Sequence, residues 1–381
     1  MAPPCRVHLI RHGEAAMPDP EGRILNYSGA RLTARGREQA RRMAAVLDRV
    51  HVDAVVSSDL ERAQETARIV AAGRAPVLTD PRLREIDLGG YDGMTFAEVA
   101  EVDTRFLPWP GVAFYGRLAR AGYHVPSDLA FPGGESVETL HRRLLPGLVE
   151  LAAARGGQTV AVVSHGYAIQ ALLCQVTACD LANYYRFMYA NAVTTIVDVD
   201  ESGTGELLVH NGNQELERAT AGRLGVDEGP GTARSDDREA TCRVVMLCPG
   251  DGGDGLAAGL RGVPMTAVRL APGAASRDLG GAVEAATGVA PLVDPGLGDG
   301  DAAPGRLAAL AAASRGGAVV VVAEPPAMSR LGAHVVALPP GGAARLPALA
   351  GGLGLAEVEA DGRGVLHIWN GRIAPEHVRP G

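Results

Sequence analysis

Arg6-Val7-His8-Leu9-Ile10-Arg11-His12-Gly13-Glu14 begins as a short apolar run and ends in a polar turn that contains glycine. A buried parallel strand and the loop at its carboxyl end read this way. A second run, 158–164, passes into His165-Gly166, and Ser57-Ser58-Asp59-Leu60-Glu61-Arg62 ends a third strand and opens a helix. Between these runs the apolar spacing turns helical. From Thr33, a suitable N-cap, it marks Ala40, Met43, Ala44 and Leu47, and a second stripe takes Leu60, Ala63, Ala67 and Val70. From Ser136 onward, Val137, Leu140, Leu144 and Leu151 share a face, and Pro146 is expected to kink or divide that helix. Strands alternating with helices predict a layered α/β/α domain on a mostly parallel sheet, with ligands bound at the carboxyl ends of its strands.

Length and composition narrow the choices. The chain has 381 residues, 46% of them hydrophobic, enough for two domains with cores of their own. Its formal charge is -8, opposite to what a phosphate-backbone partner needs, so nucleic acid is not expected. All 36 basic side chains are Arg, because the chain contains no Lys. That removes Schiff-base chemistry, P-loops and the kinase lysine. Five cysteines (Cys5, Cys174, Cys179, Cys242 and Cys248) form no C-x-x-C pair, which argues against a disulfide framework or a zinc site and suits a reducing cytoplasm. No apolar stretch approaches the roughly 20 residues of a membrane helix, so a soluble protein without a membrane partner is expected.

The chemistry-bearing residues fall at the predicted strand ends. Arg11-His12, Arg62 and Ser164-His165 would converge there with a helix N-terminus. Two imidazoles, two forked guanidiniums and unpaired helix amides suit a dianionic phosphoryl group. The wider set is Arg11-His12-Gly13-Glu14, Leu32-Thr33 with Gly36 and Gln39-Ala40, Ser57-Ser58 with Arg62-Ala63 and Thr66-Ala67, Leu83-Arg84-Glu85 with Gly89 and Gly93, Pro132-Gly133-Gly134-Glu135-Ser136, and Ser164-His165-Gly166. In this order and spacing it resembles the histidine phosphatase superfamily, the phosphoglycerate mutase-like fold, over about residues 5 to 215.

That resemblance implies roles. His12 would be the nucleophile that takes the phosphoryl group, Arg11, Arg62 and His165 would hold its oxygens, and Glu85 would be the proton donor. Arg and His would neutralise the charge that a metal otherwise handles, so no metal or other cofactor is expected. Glu98 and Glu135 are competing carboxylates, with Glu135 next in line. His8, His51 and His141 belong to no motif, Glu14 can simply cap the turn, and Asn26 and Tyr27 can approach a ligand or just shape their loop.

An insertion over 94–131 stands where this family places a cap. Of the chain's fifteen aromatics, Phe96, Phe106, Trp109, Phe114, Tyr115, Tyr123 and Phe131 lie within it, and Tyr91 just before. Trp109 and Tyr115 are the candidate substrate contacts; a small core for the insertion itself is the competing explanation. Tyr184-Tyr185-Arg186-Phe187-Met188-Tyr189 has the same two explanations.

The expected domains are 1–218, a polar Gly-rich linker over 219–241, and 242–381. The last repeats the first in degenerate form. Arg243-Val-Val-Met-Leu-Cys248-Pro249-Gly250-Asp251 lies over the opening stretch, and matches at 290–299, 319–324 and 364–370 follow in the same order, as a tandem duplication would leave them. Pro249 stands for His12, Cys248 for Arg11, Glu324 for His165 and Asp299 for Glu85, while Ala275 or Arg277 stands for Arg62. The spacing from Asp299 to Ala318 leaves no room for a cap. A copy without its polar site would be kept for packing, against the first domain or across a homodimer contact.

Three functions follow for this set: a phosphomonoesterase acting on a small-molecule phosphate ester, a mutase that returns the phosphoryl group to the substrate, and a non-catalytic phospholigand scaffold. A mutase must grip a small polyanion through two phosphorylations, and the insertion has few cations (Arg105, Arg117, Arg120), so the phosphatase is preferred.

Overall fold

In a computed structural model the described residues are 2–17, 19–27, 29–103, 125–212, 241–250, 257, 260–261, 263–298, 300 and 302–371. They form two compact units. The first holds the described residues up to Leu207 except Arg186–Met188, and the second holds those three and the described residues from Leu208 onward. The expected linker lies almost wholly outside the described residues.

The opening stretch forms β1 (Cys5–Arg11). After it come α1 (Ala34–Leu47), β2 (Ala54–Ser57), α2 (Glu61–Ala71), β3 (Val77–Thr79), α3 (Phe96–Val102), α4 (Val137–Ala154), β4 (Thr159–Ser164), α5 (Gly166–Thr177), β5 (Thr194–Val199) and β6 (Gly205–Val209). The sheet order is β3-β2-β4-β1-β5-β6. β1, β2, β3 and β4 run parallel, and β5 is antiparallel to β1. Alternation along the strands makes three layers. Ile10, Val55, Ala161 and Val163 pack with Met43 and Leu47 of α1 and Ala63, Ala67 and Val70 of α2. Leu9, Val56 and Val162 line a cleft with Leu148 and Leu151 of α4 and Leu172 of α5.

Helix starts follow the expected chemistry. Thr33 caps α1 by accepting from the Gly36 N–H, and Ser136 and Thr139 form a capping box at the start of α4. Pro146 does not divide α4, which continues from Val137 to Ala154. Leu140 and Leu144 before the proline and Leu148 and Ala152 after it are all buried, so the face that drives the helix into the core is continuous across the lost N–H.

The second unit contains β7 (Cys242–Leu247), β8 (Ala267–Leu270), α6 (Ala274–Thr287), β9 (Pro291–Val293), α7 (Ala303–Ala313), β10 (Ala318–Val322), α8 (Pro325–Val335), β11 (Leu353–Val358) and β12 (Gly364–Ile368). Its sheet, β12-β11-β7-β10-β8-β9, has the strand order of the first sheet read from the other edge. Register agrees too: Val7 opposes Val160 in the first sheet as Val244 opposes Val319 in the second. Among the described residues no helix is long and apolar enough to cross a membrane.

Candidate active site

Because β2, β4 and β1 are parallel neighbours, the loops after them leave the sheet side by side. The ladder is zipped to its end, with the His12 N–H donating to Ser164 O (3.0 Å) and the Ser58 N–H to Val163 O (3.0 Å). This places His12, Ser58 and His165 together. The His12 and His165 rings are 5.1 Å apart at their centroids, and both residues are buried.

His12 is held in one tautomer. Its Nδ1 lies 2.7 Å from Gly13 O, which can only accept, so Nδ1 carries the proton and Nε2 keeps its lone pair. Arg62 Nε donates to that Nε2 at 3.2 Å. The rest of the Arg62 guanidinium is fixed by Asn26, with Nη1 to its backbone O at 2.6 Å and Nη2 to Oδ1 at 3.3 Å. Burial, then the Arg62 and Arg11 charges, push His12 well below the usual histidine range, and burial followed by Arg62 does the same to His165. Both imidazoles are neutral at neutral pH. Arg62 comes down to about 10 through burial and stays cationic.

Two buried nitrogens in this cluster, Arg11 Nε and His165 Nδ1, have no hydrogen-bond partner among the described residues. His165 Nε2 is taken by Ser58 Oγ (2.9 Å), which leaves Nδ1 free. The Arg11 guanidinium stacks on the Tyr189 ring, 4.6 Å from its centroid, and its Nη1 donates to Asn191 Oδ1 at 3.0 Å. Asn191 Nδ2 in turn donates to His12 O at 2.8 Å, so one amide ties the cation to the backbone of the nucleophile candidate. Ala192 accepts a positive φ of 48°, unusual for alanine, while its N–H donates to Arg11 O.

Glu85 stands at the N-terminus of α5. Its Oε1 accepts from the Ile86 N–H at 3.0 Å, and the Ala168 and Tyr167 amides make longer 3.4 Å contacts to Oε1 and Oε2. Burial raises its carboxyl, opposed by the Ile86 hydrogen bond and the Arg62 charge. Glu135 is otherwise engaged, since Arg143 grips both its oxygens at 2.7 Å and the Asp87 N–H donates to Oε2. Glu98 only completes the cap of α3. Of the three carboxylates weighed from sequence, Glu85 is the one beside Arg11 and Arg62.

The remaining motif residues build the turn. Thr66 Oγ1 accepts from the Gly13 N–H (3.0 Å) and donates to Arg62 O (2.7 Å). Gln39 Oε1 accepts from the Glu14 N–H, and the Glu14 carboxylate accepts from the Thr33 hydroxyl. Glycine is required where this turn meets α1: a Cβ on Gly36 would lie 2.0 Å from Glu14 O, and one on Gly13 would lie 2.3 Å from Gly36 O. Gly36→Ala should therefore cost about 1–3 kcal/mol by overpacking and shift His12. Thermal melting should fall and turnover with it; an unchanged melt with full turnover would show that the loop can yield.

His8 bonds Thr194 Oγ1 within the sheet, and His141 bonds Gln175 on the helical layer, so neither joins the site. Tyr91 and Phe131 are buried edge to face at 6.1 Å, and Tyr184 is buried against Tyr167, which makes these aromatics core. Trp109 and Tyr115 lie outside the described residues. Sequence reading assigned nothing to Asn191, Arg143 or Ser58, and left Asn26 and Tyr189 undecided. Ser58 sits in a quoted motif without a role of its own, and no pattern marks Asn191 or Arg143, whose segments lie far from His12 in sequence.

The chain is similar to known proteins over its first half. The family model described as histidine phosphatase superfamily (branch 1) matches residues 7–212. Phosphoserine phosphatase 1 of Hydrogenobacter thermophilus is 32% identical over 194 residues, 51% of this chain and 86% of its own. Phosphoglycerate mutase-like protein 4 of Arabidopsis thaliana is 35% identical over 167 residues, 43% of this chain and 67% of its own. Among solved structures, the alpha-ribazole phosphatase from Shigella flexneri is 26% identical, covers 52% of this chain and 92% of its own, and has a TM-score of 0.43. A family match across more than half of the chain, over the residues that gather around His12, means that this protein belongs to branch 1 of the histidine phosphatase superfamily.

Proposed function

We propose that the first unit hydrolyses the phosphate monoester of a small molecule, without a metal, through a phosphohistidine on His12. The observation that carries this is the fixed tautomer of His12, a buried imidazole with its Nε2 lone pair exposed to Arg62 and with Arg11 Nε and His165 Nδ1 unpartnered nearby. Nε2 attacks phosphorus in line, and Arg62 moves its hydrogen bond from Nε2 to a phosphoryl oxygen. Arg11, Arg62 and His165 hold the charge on the transferring group. The ester oxygen leaves with the proton of Glu85; a water then attacks the phosphohistidine, gives its proton back to Glu85, and inorganic phosphate departs. Relatives named as a phosphoserine phosphatase and as a phosphoglycerate mutase-like protein support a phosphate ester as the substrate of this unit.

The second unit we read as a degenerate copy. Its sheet supports this, as do the residues at the site positions. Pro249 has no nucleophilic nitrogen, and Glu324 brings a negative charge where His165 stands in the first unit. The Cys248 thiol is pushed up to about 12 by burial and Glu324, so it holds its proton. Asp299 lies outside the described residues.

The test is phosphate release by the full chain in chelator, across phosphoserine, sugar phosphates, nucleotide monophosphates and p-nitrophenyl phosphate. Release of inorganic phosphate from at least one of them is expected. Migration of phosphate between the hydroxyls of a phosphoglycerate without release would give the mutase instead. A strict divalent-metal requirement would end the proposed mechanism.

A further inference from the structure

We infer that Arg143, held by Glu135, is a positioning residue that sets where the Glu85 carboxyl stands; this rests on Glu85 being the proton donor. Residues 80–88, which carry Glu85, have no sheet ladder and one 3-10 turn, Pro81–Leu83, so their carbonyls need other partners. Side chains supply them. Arg143 Nη1 donates to Arg82 O (2.6 Å) and Arg84 O (3.2 Å), and its Nη2 donates to Glu85 O (3.0 Å). Ser164 Oγ takes Leu83 O (2.8 Å), and the Tyr27 hydroxyl adds a second donor to Glu85 O (2.8 Å). Four successive carbonyls are thus pinned from outside, three of them by one guanidinium.

That guanidinium is itself aimed. Glu135 receives Nε and Nη2 in a two-pronged pair at 2.7 Å each, and its Oε2 also accepts the Asp87 N–H two residues past Glu85. Arg143 projects from α4, the helix that Ser136 caps, so Glu135 and Arg143 join a rigid element to both sides of Glu85. Lysine cannot replace this fork: an ammonium is one point of donors and does not reach three carbonyls and a carboxylate together. The pair does not touch the reacting atoms. Its effect on chemistry must pass through the position of Glu85, and a displacement of about 1 Å costs on the order of 10²-fold in a proton transfer that depends on alignment.

The experiment compares turnover of glycerol 2-phosphate, whose alkoxide needs a proton to leave, with that of p-nitrophenyl phosphate, whose phenolate does not. Arg143→Lys and Glu135→Gln should each lose about 10- to 100-fold in kcat on the first and less than about threefold on the second. KM for both should stay within about twofold. Either change added to Glu85→Gln should cost nothing more on glycerol 2-phosphate. Equal losses on both substrates, a change in KM alone, or additive losses in the double variants would overturn the inference. Selective loss in Glu85→Gln without it in Arg143→Lys and Glu135→Gln would overturn the positioning role and leave the proton donor standing. No selectivity in Glu85→Gln itself would remove the proton donor and this role together. Should Arg143→Lys fail to fold, the near-isosteric Glu135→Gln decides.

Discussion

His12→Ala should lower phosphate release by the full chain by about 10⁴-fold or more, as removal of a nucleophile does elsewhere, with melting temperature little changed. The imidazole makes few structural bonds: Nδ1 to Gly13 O and Nε2 from Arg62. The turn is held by other groups, namely Thr66, Asn191 and the ladder bond to Ser164. Acid-quench trapping gives a direct reading. Wild-type protein briefly exposed to labelled p-nitrophenyl phosphate should carry a label that is lost in acid and kept in base, and His12→Ala should carry none. Retained turnover in the variant would place the chemistry elsewhere, with the second unit as the first place to look.

Glu85→Gln should slow an alkyl phosphate by about 10²- to 10⁴-fold, the usual worth of general acid help, and p-nitrophenyl phosphate far less. Its pH dependence has a definite sign. The nucleophile must be unprotonated and the donor protonated. Burial moves both groups the useful way, His12 well below its ordinary range and Glu85 above the usual carboxylate range. On the alkyl substrate kcat/KM should therefore fall as pH rises through the raised Glu85 value. Glutamine does not titrate, so that alkaline limb should vanish from the variant's profile while the acid limb remains. The substrate's own ionisation is common to both proteins and cancels in their ratio. Equal slowing of the two substrates, or an alkaline limb that survives in Glu85→Gln, would move the proton to another group.

Much of this was legible in the chain itself. Short apolar runs gave β1 and β4, and period-3.6 apolar spacing gave α1 and α2, within a residue or two, because burial leaves a direct mark on sequence. The nucleophile candidate and its neighbours Arg11, Arg62 and His165 were also within reach: each sits at a strand end or helix start, and parallel strands carry such ends to one edge. The repeat of Arg6–Ile10 in Arg243–Leu247 anticipated a second sheet with the same strand order. Tertiary structure alone decided the rest. Glu85 and Glu135 are both carboxylates in glycine-rich loops, and only their neighbours separate them: helix amides and buried cations for one, the Arg143 fork for the other. Asn191 lies 180 positions from Arg11, and a contact across that distance has no period to announce it. The tautomer of His12 is likewise set by a carbonyl within 2.7 Å, a property of where atoms end up that the order of residues does not carry. Of the kink or division expected at Pro146, the division does not occur, since local backbone preference favours a stop there while buried leucines on both sides keep the helix against the core.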